Sequence, residues 1–224
     1  MERTRVRARG SQRDRGAEGV IELYLSAFIT FLVVIDPPGC APIFAGLTTG
    51  ASTVHRRAMA VRAVFVAAII LLVFAVFGED LLRVLGISLN AFRIAGGIML
   101  FLIALEMVFE KRTERREDRA QKVREEQVED ISIFPMAMPM IAGPGSIAST
   151  MLLMSQNSGL ANAFVVLAAL ATVLLLTLAA LLAAGPLMRL VGQRVETVVT
   201  RLLGVLLAAL AVQFVIDGVK QSLG

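Results

Sequence analysis

The sequence predicts an all-α, polytopic membrane protein: six transmembrane helices forming two inverted three-helix repeats, with the first and fourth helices broken. Three observations predict it. The chain of 224 residues is 57% hydrophobic, above the roughly 45–50% usual for a soluble domain. Its apolar residues are gathered into long uncharged blocks, such as the 22 residues from Ala163 to Ala184, and about 20 mostly apolar residues span the hydrocarbon core. Two of the blocks are interrupted by proline–glycine pairs, Pro38-Gly39 and Pro144-Gly145, 106 residues apart.

Residues 1–19 carry six arginines against three acidic residues and no apolar period. They read as a disordered basic tail, or as a stretch lying ahead of a natural beginning near Val20. The first hydrophobic segment, roughly 21–49, runs uncharged from Leu23 to Ile35 and then meets Asp36-Pro37-Pro38-Gly39. The second covers 61–78 and the third 92–109, which completes a first repeat over 20–109. Residues 110–130 hold seven basic and eight acidic side chains, so they are expected to be a solvated loop. A second repeat, 131–222, contains the fourth segment (131–155, broken at Ala142–Gly145), the fifth (160–184) and the sixth (202–219). The net charge of +4 is carried mostly by the tail, so it points to no nucleic-acid partner. The lone Cys40 excludes an internal disulfide and a thiolate cluster. The lone His55, beside Arg56-Arg57, reads as a surface loop residue. Neither supports a catalytic site or a metal site, and the chain is expected not to be an enzyme and to need no cofactor.

Other residues repeat at nearly the same offset. Arg83 and Arg189 lie 106 apart, as do Gly86 and Gly192; Arg93 and Arg201 lie 108 apart, as do Gly96 and Gly204. An odd number of spans per half requires the halves to insert in opposite senses, and inverted repeats with matched broken helices point to a secondary transporter. With six spans and the tail set aside, basic residues divide 13 to 3 between the faces, which places the N-terminus outside. If both broken segments are instead re-entrant hairpins, the count is 17 to 5 with the N-terminus inside. The six-span topology is preferred because the broken segments are long enough to cross.

Proline removes a backbone donor and disfavours helix at the preceding residue, and glycine lets the chain turn. Each break therefore ends one half-helix and starts another, whose N-terminus offers unpaired N–H groups and partial positive charge to a carboxylate. Within lipid such backbone must face protein or a wet cavity. The expected substrate site is accordingly Asp36, Pro38, Gly39, Gly143, Pro144, Gly145, Ser146 and Gln213, near the midplane. A carboxylate inside a span is costly and faces the interior. Asp36 has two compatible readings, as a ligand for an amino group, sodium ion or proton, and as an N-cap for the following half-helix. Glu106, Arg93 and Arg201 are expected as coupling or structural charges, with coupling to sodium or protons. Gly96, Gly97 and Gly204 permit close helix contact. Met136, Met138 and Met140 alternate around Pro139 as lining or packing residues.

At "FLVVIDPPGCAPIF", "PMAMPMIAGPGSI", "RIAGGIMLFLIALEM" and "RLLGVLLAALAVQFVIDG" the chain resembles the MarC family of bacterial inner-membrane proteins, over about 20–222. The resemblance implies a six-helix inner-membrane protein related to amino-acid exporter folds, in a family some of whose members are described as neutral amino-acid transporters. Pro38, Cys40 and the arginine tail depart from the family's pattern. The expected function is secondary transport of small neutral amino acids or similar zwitterions, with the bilayer and a small-molecule substrate as partners and the oligomeric state open. The alternative is a non-transporting membrane scaffold or regulatory protein. Replacing 110–130 by a neutral flexible loop is expected to separate them, since only an interaction protein would need that linker.

Overall fold

In the computed structural model, residues 2–125, 130–157 and 159–223 are described, without the side chains of 2–17, 113, 119, 122–125 and 185–197. Among the described residues every regular element is helical. Helix α1 spans Glu2–Ile35, so the tail expected to lack fixed structure is drawn as its first turns; Arg, Ala and Glu are good helix formers. Asp36 interrupts the first segment for one residue in the left-handed region (φ 58°, ψ 66°), and α2, Pro37–Leu47, restarts at once. Pro37 and Pro38 occupy its first turn, where a missing N–H costs nothing. Helix α3, Thr53–Val84, is capped by Ser52, whose hydroxyl accepts from the His55 N–H at 3.2 Å. His55 is exposed, but sits in a first helical turn and not in a loop. Helix α4, Leu89–Val108, is capped in the same way by Ser88.

The charged linker differs from expectation: Lys111–Glu125 forms a helix, α5. The fourth segment is broken more than once. Its first part, Ser132–Ile141, is irregular, with extended backbone at Phe134 and Met138. Each of these precedes a proline, which disfavours the helical region for its neighbour. Met136 and Met140 are buried while Met138 is exposed, so only two of the three methionines pack. Helix α6, Pro144–Gln156, follows the glycine break, then α7, Leu160–Leu182. Helix α8 runs unbroken over Ala184–Leu223. Residues 185–201, which fall between the expected fifth and sixth segments, are therefore helical; of the Arg83–Arg189 and Gly86–Gly192 matches, the second-half members lie where side chains are outside the described residues.

Among the described residues, five stretches are long and apolar enough to cross a membrane: Glu18–Leu47, Thr53–Val84, Leu89–Val108, Leu160–Leu182 and Val198–Leu223. Ser132–Ile141 with α6, bent by 53°, makes a sixth if the pair counts as one span. Large apolar side chains such as Phe65, Phe77, Leu175 and Leu206 are exposed, which suits a lipid-facing surface. Inside, the hydroxyls of Thr30, Thr150 and Thr177 donate to the carbonyl one turn back, which satisfies them within their own helices, whereas the buried hydroxyls of Ser149 and Thr200 find no partner among the described residues.

The packing is reciprocal between halves. α1 and α2 pack on α7, Ser132–Ile141 and α6 pack on α3, and α4 packs along α8. At the α4–α8 seam a Cβ on Gly97 would meet the Ala211 carbonyl at 2.8 Å and Val215 at 2.7 Å. One on Gly204 would meet the Ala104 carbonyl and Val108, both at 3.2 Å. Gly97 and Gly204, Ala104 and Ala211, and Val108 and Val215 are each 107 apart, so the helices exchange equivalent contacts. In this seam it is Gly97, at 107, and not Gly96, at 108, that makes contacts like those of Gly204; Gly96 faces Leu152. The seam is tied at both ends, by Arg93 to Gln221 and by Arg201 to Glu110.

Candidate functional site

The first break is occupied from within the chain. The Asp36 carboxylate, 1% exposed, accepts from the Gly39 N–H at 3.2 Å and so caps α2. It also accepts from Arg116 Nη1 at 2.9 Å. That guanidinium belongs to α5 and is itself buried. Arg116 Nη2 donates to the Ile35 carbonyl at 3.4 Å, and Arg112 Nη2 donates to the Val34 carbonyl at 2.6 Å. The left-handed turn at Asp36 leaves carbonyls without their usual helical partners, and two arginines spaced one turn apart on α5 supply donors. The N-cap reading of Asp36 is therefore seen directly, joined to a buried ion pair.

The second break has no such plug. Gly143 is the N-cap of α6 with no side-chain cap bond, and Pro144 and Gly145 form the first turn, whose N–H groups have no intrahelical acceptor. Ser146 Oγ donates to the Ile141 carbonyl at 2.7 Å. A Cβ on Gly145 would meet Ile103 at 2.7 Å and Val34 at 3.1 Å, so this break lies against the residues just ahead of Asp36. The two breaks are brought together.

Beside the second break opens a cavity of about 360 Å³. One wall is the second break, Gly143 to Ser146; the other is Glu106 of α4 with Arg112, Arg115 and Arg116 of α5. Arg115 pairs with Glu106, as Arg116 pairs with Asp36. Among the described residues, Arg112 hydrogen-bonds the Val34 carbonyl and the Met107 sulfur, the latter at 3.0 Å. Burial, and then the charge of Arg116, draw its pKa down to about 10, which leaves it charged at neutral pH. Among the described residues no cluster has the makings of a metal site. A larger cavity of about 550 Å³ lies between α3, α6 and α7, but its lining is mostly apolar.

Of the expected site residues, Gly143, Pro144, Gly145 and Ser146 line the cavity, with Glu106. Asp36 and Gly39 are buried beneath Arg116, and Pro38 is half-buried outside the cavity. Gln213 is exposed and bonds Asp217 at 2.8 Å. Arg93 and Arg201 tie the α4–α8 seam. Sequence reasoning missed Arg112, Arg115 and Arg116, because the linker was judged on its balanced charge. One signal was present: an intramembrane carboxylate needs a cationic partner, and no segment holding a break contains a Lys or Arg.

A family model described as MarC family integral membrane protein matches residues 21–223. A UPF0056 membrane protein of Methanocaldococcus jannaschii is 36% identical over 206 residues, covering 91% of this chain and 98% of its own. The UPF0056 membrane protein YvbG of Bacillus subtilis is 34% identical over 194 residues, covering 86% and 92%. The UPF0056 membrane protein YhcE of Escherichia coli is 32% identical over 198 residues, covering 88% and 92%. No solved structure matches the chain.

Proposed function

The chain belongs to the MarC family of integral membrane proteins, and from that footing we propose that it is a secondary transporter of small neutral amino acids or similar small zwitterions. The proposed setting is the bacterial inner membrane, and the proposed architecture two inverted three-helix repeats. The observation that carries the reading is the cavity at the second break. Inside an otherwise apolar bundle it gathers an uncapped helix N-terminus, three guanidinium groups and one carboxylate, Glu106. Helix N-termini and arginines favour a carboxylate, and about 360 Å³ lies within the range of small-molecule sites. The reciprocal packing of the two halves supports the inverted repeat, and alternating access between halves is the working motion of such folds.

The test is uptake of labelled alanine into proteoliposomes, with and without sodium or proton gradients. Saturable uptake is expected. Gly145→Leu, which pushes a side chain against Ile103 and Val34, is expected to abolish it. Uptake no faster than in empty vesicles, under every gradient, would sink the reading. The exposed acidic side chains of α5, Glu114, Glu117 and Asp118, favour the scaffold as second reading, since they lie outside the cavity's lining and are open to a partner.

A further inference from the structure

Charges around the cavity do not balance, and the imbalance says which end of a substrate is read. We infer that Arg112 is the ligand-recognising residue of this cavity, that the group it takes is a carboxylate, and that an ammonium group on the ligand is dispensable. The inference rests on the transport reading and deepens it. Three guanidinium groups line the cavity. Arg115 is matched by Glu106 and Arg116 by Asp36. Among the described residues no carboxylate is left for Arg112, which spends one donor on the Val34 carbonyl and faces a thioether with another. A guanidinium has five donors in a planar fork suited to a carboxylate, so capacity remains. The opposite wall adds the first turn of α6, with no side chain covering it. A charge drawn out of water without a directly paired counterion is costly, and one monoanion in the cavity supplies that pair. An ammonium has no such vacancy, because Glu106 and Asp36 are both engaged. The substrate class is therefore small monocarboxylates, with neutral amino acids as those members that happen to carry an amino group.

The geometry also makes α5 part of the site. Arg112 bonds the backbone just ahead of the first break while lining the second. A ligand that draws its guanidinium across the cavity loosens α5 from Val34.

The test is thermal unfolding of the full purified chain in a phosphate-free detergent, with millimolar L-alanine, propionate, alaninamide or inorganic phosphate. Alanine and propionate are both expected to raise the unfolding temperature, and alaninamide and phosphate are not. Arg112→Gln is expected to lose both shifts. Arg112→Lys, which keeps the charge and a reach to the Val34 carbonyl, should retain part of each and shows that loss in the glutamine variant is not misfolding. Arg115→Gln frees Glu106 and should raise the preference for alanine over propionate several-fold. A shift with alanine but not propionate would overturn the inference while leaving amino-acid transport standing, as proteoliposome uptake of alanine would report separately. A shift with alaninamide would show that the carboxylate is not read. A shift with phosphate alone would reassign the cavity to a phosphate or lipid headgroup. No shift with any probe would remove Arg112 from ligand recognition.

Discussion

At the residue scale, Asp36 carries two loads that can be separated. As an αL residue and N-cap it has one close substitute, since Asn visits that region and caps helices well. As half of a buried ion pair it has none. Asp36→Asn is expected to keep the turn and strand Arg116, at a cost of about 3–5 kcal/mol. Asp36→Ala loses the cap as well, about 1 kcal/mol more, and lacks the short polar side chain that lets Asp and Asn adopt the left-handed region. Adding Arg116→Met to Asp36→Asn should recover part of the loss, because it removes the orphaned charge. Unfolding midpoints should fall in the order wild type, double variant, Asp36→Asn, Asp36→Ala; an Asp36→Asn midpoint equal to wild type would mean the pair contributes nothing. Gly39→Ala probes the same knot from the other side, since its Cβ would press on the Asp36 carboxylate and lie 2.7 Å from Arg116 Nη1.

At the element scale, the α4–α8 seam depends on close backbone approach. Gly97→Ala meets a backbone carbonyl that cannot move aside and is expected to destabilise by about 1–3 kcal/mol. Gly19→Ala, in α1 with open space around it, should be neutral or slightly stabilising, since Ala is the better helix former. Chemical unfolding in detergent compares the two; similar effects would refute the seam. The start of the irregular segment depends on Asp130, which accepts from the Ser132 N–H and hydroxyl and pairs with Arg62 of α3. Those Ser132 hydrogen bonds, with the Arg62 charge, hold its pKa below the ordinary 3.8. A depressed carboxylate contributes stability in full above its unfolded pKa and loses it as pH falls through the lower folded value. Wild type should therefore show an acid-induced loss below about pH 4 that Asp130→Asn lacks. Equal acid profiles would show the contacts to be without consequence.

At the scale of the whole molecule, the linker loses its value as a test between transporter and scaffold. Replacing 110–130 would remove Arg112, Arg115 and Arg116 and leave Asp36 buried without its partner, so a transporter is expected to fail as well. Single-cysteine labelling separates the two topologies, since Cys40 is buried. Glu117→Cys and Leu160→Cys occupy exposed positions. They should react from opposite faces if the fourth segment crosses, and from the same face if it is re-entrant. The sequence by itself determined the class, the number of apolar segments, the positions of both breaks and the family resemblance. These follow from composition, block length and proline–glycine chemistry, all local properties of the chain. It also marked Asp36 as a residue needing a reason. Only the tertiary structure decided what that reason is. Arg116 stands 80 positions away in a segment that looks purely solvated, and nothing local says which of its arginines turn inward. The same holds for the cavity. The two breaks share a proline–glycine pair and differ at Asp36 against Ala142, 106 residues on; only the fold shows the consequence, that α5 fills one and lines the other, because a carboxylate at Asp36 draws a guanidinium and Ala142 does not.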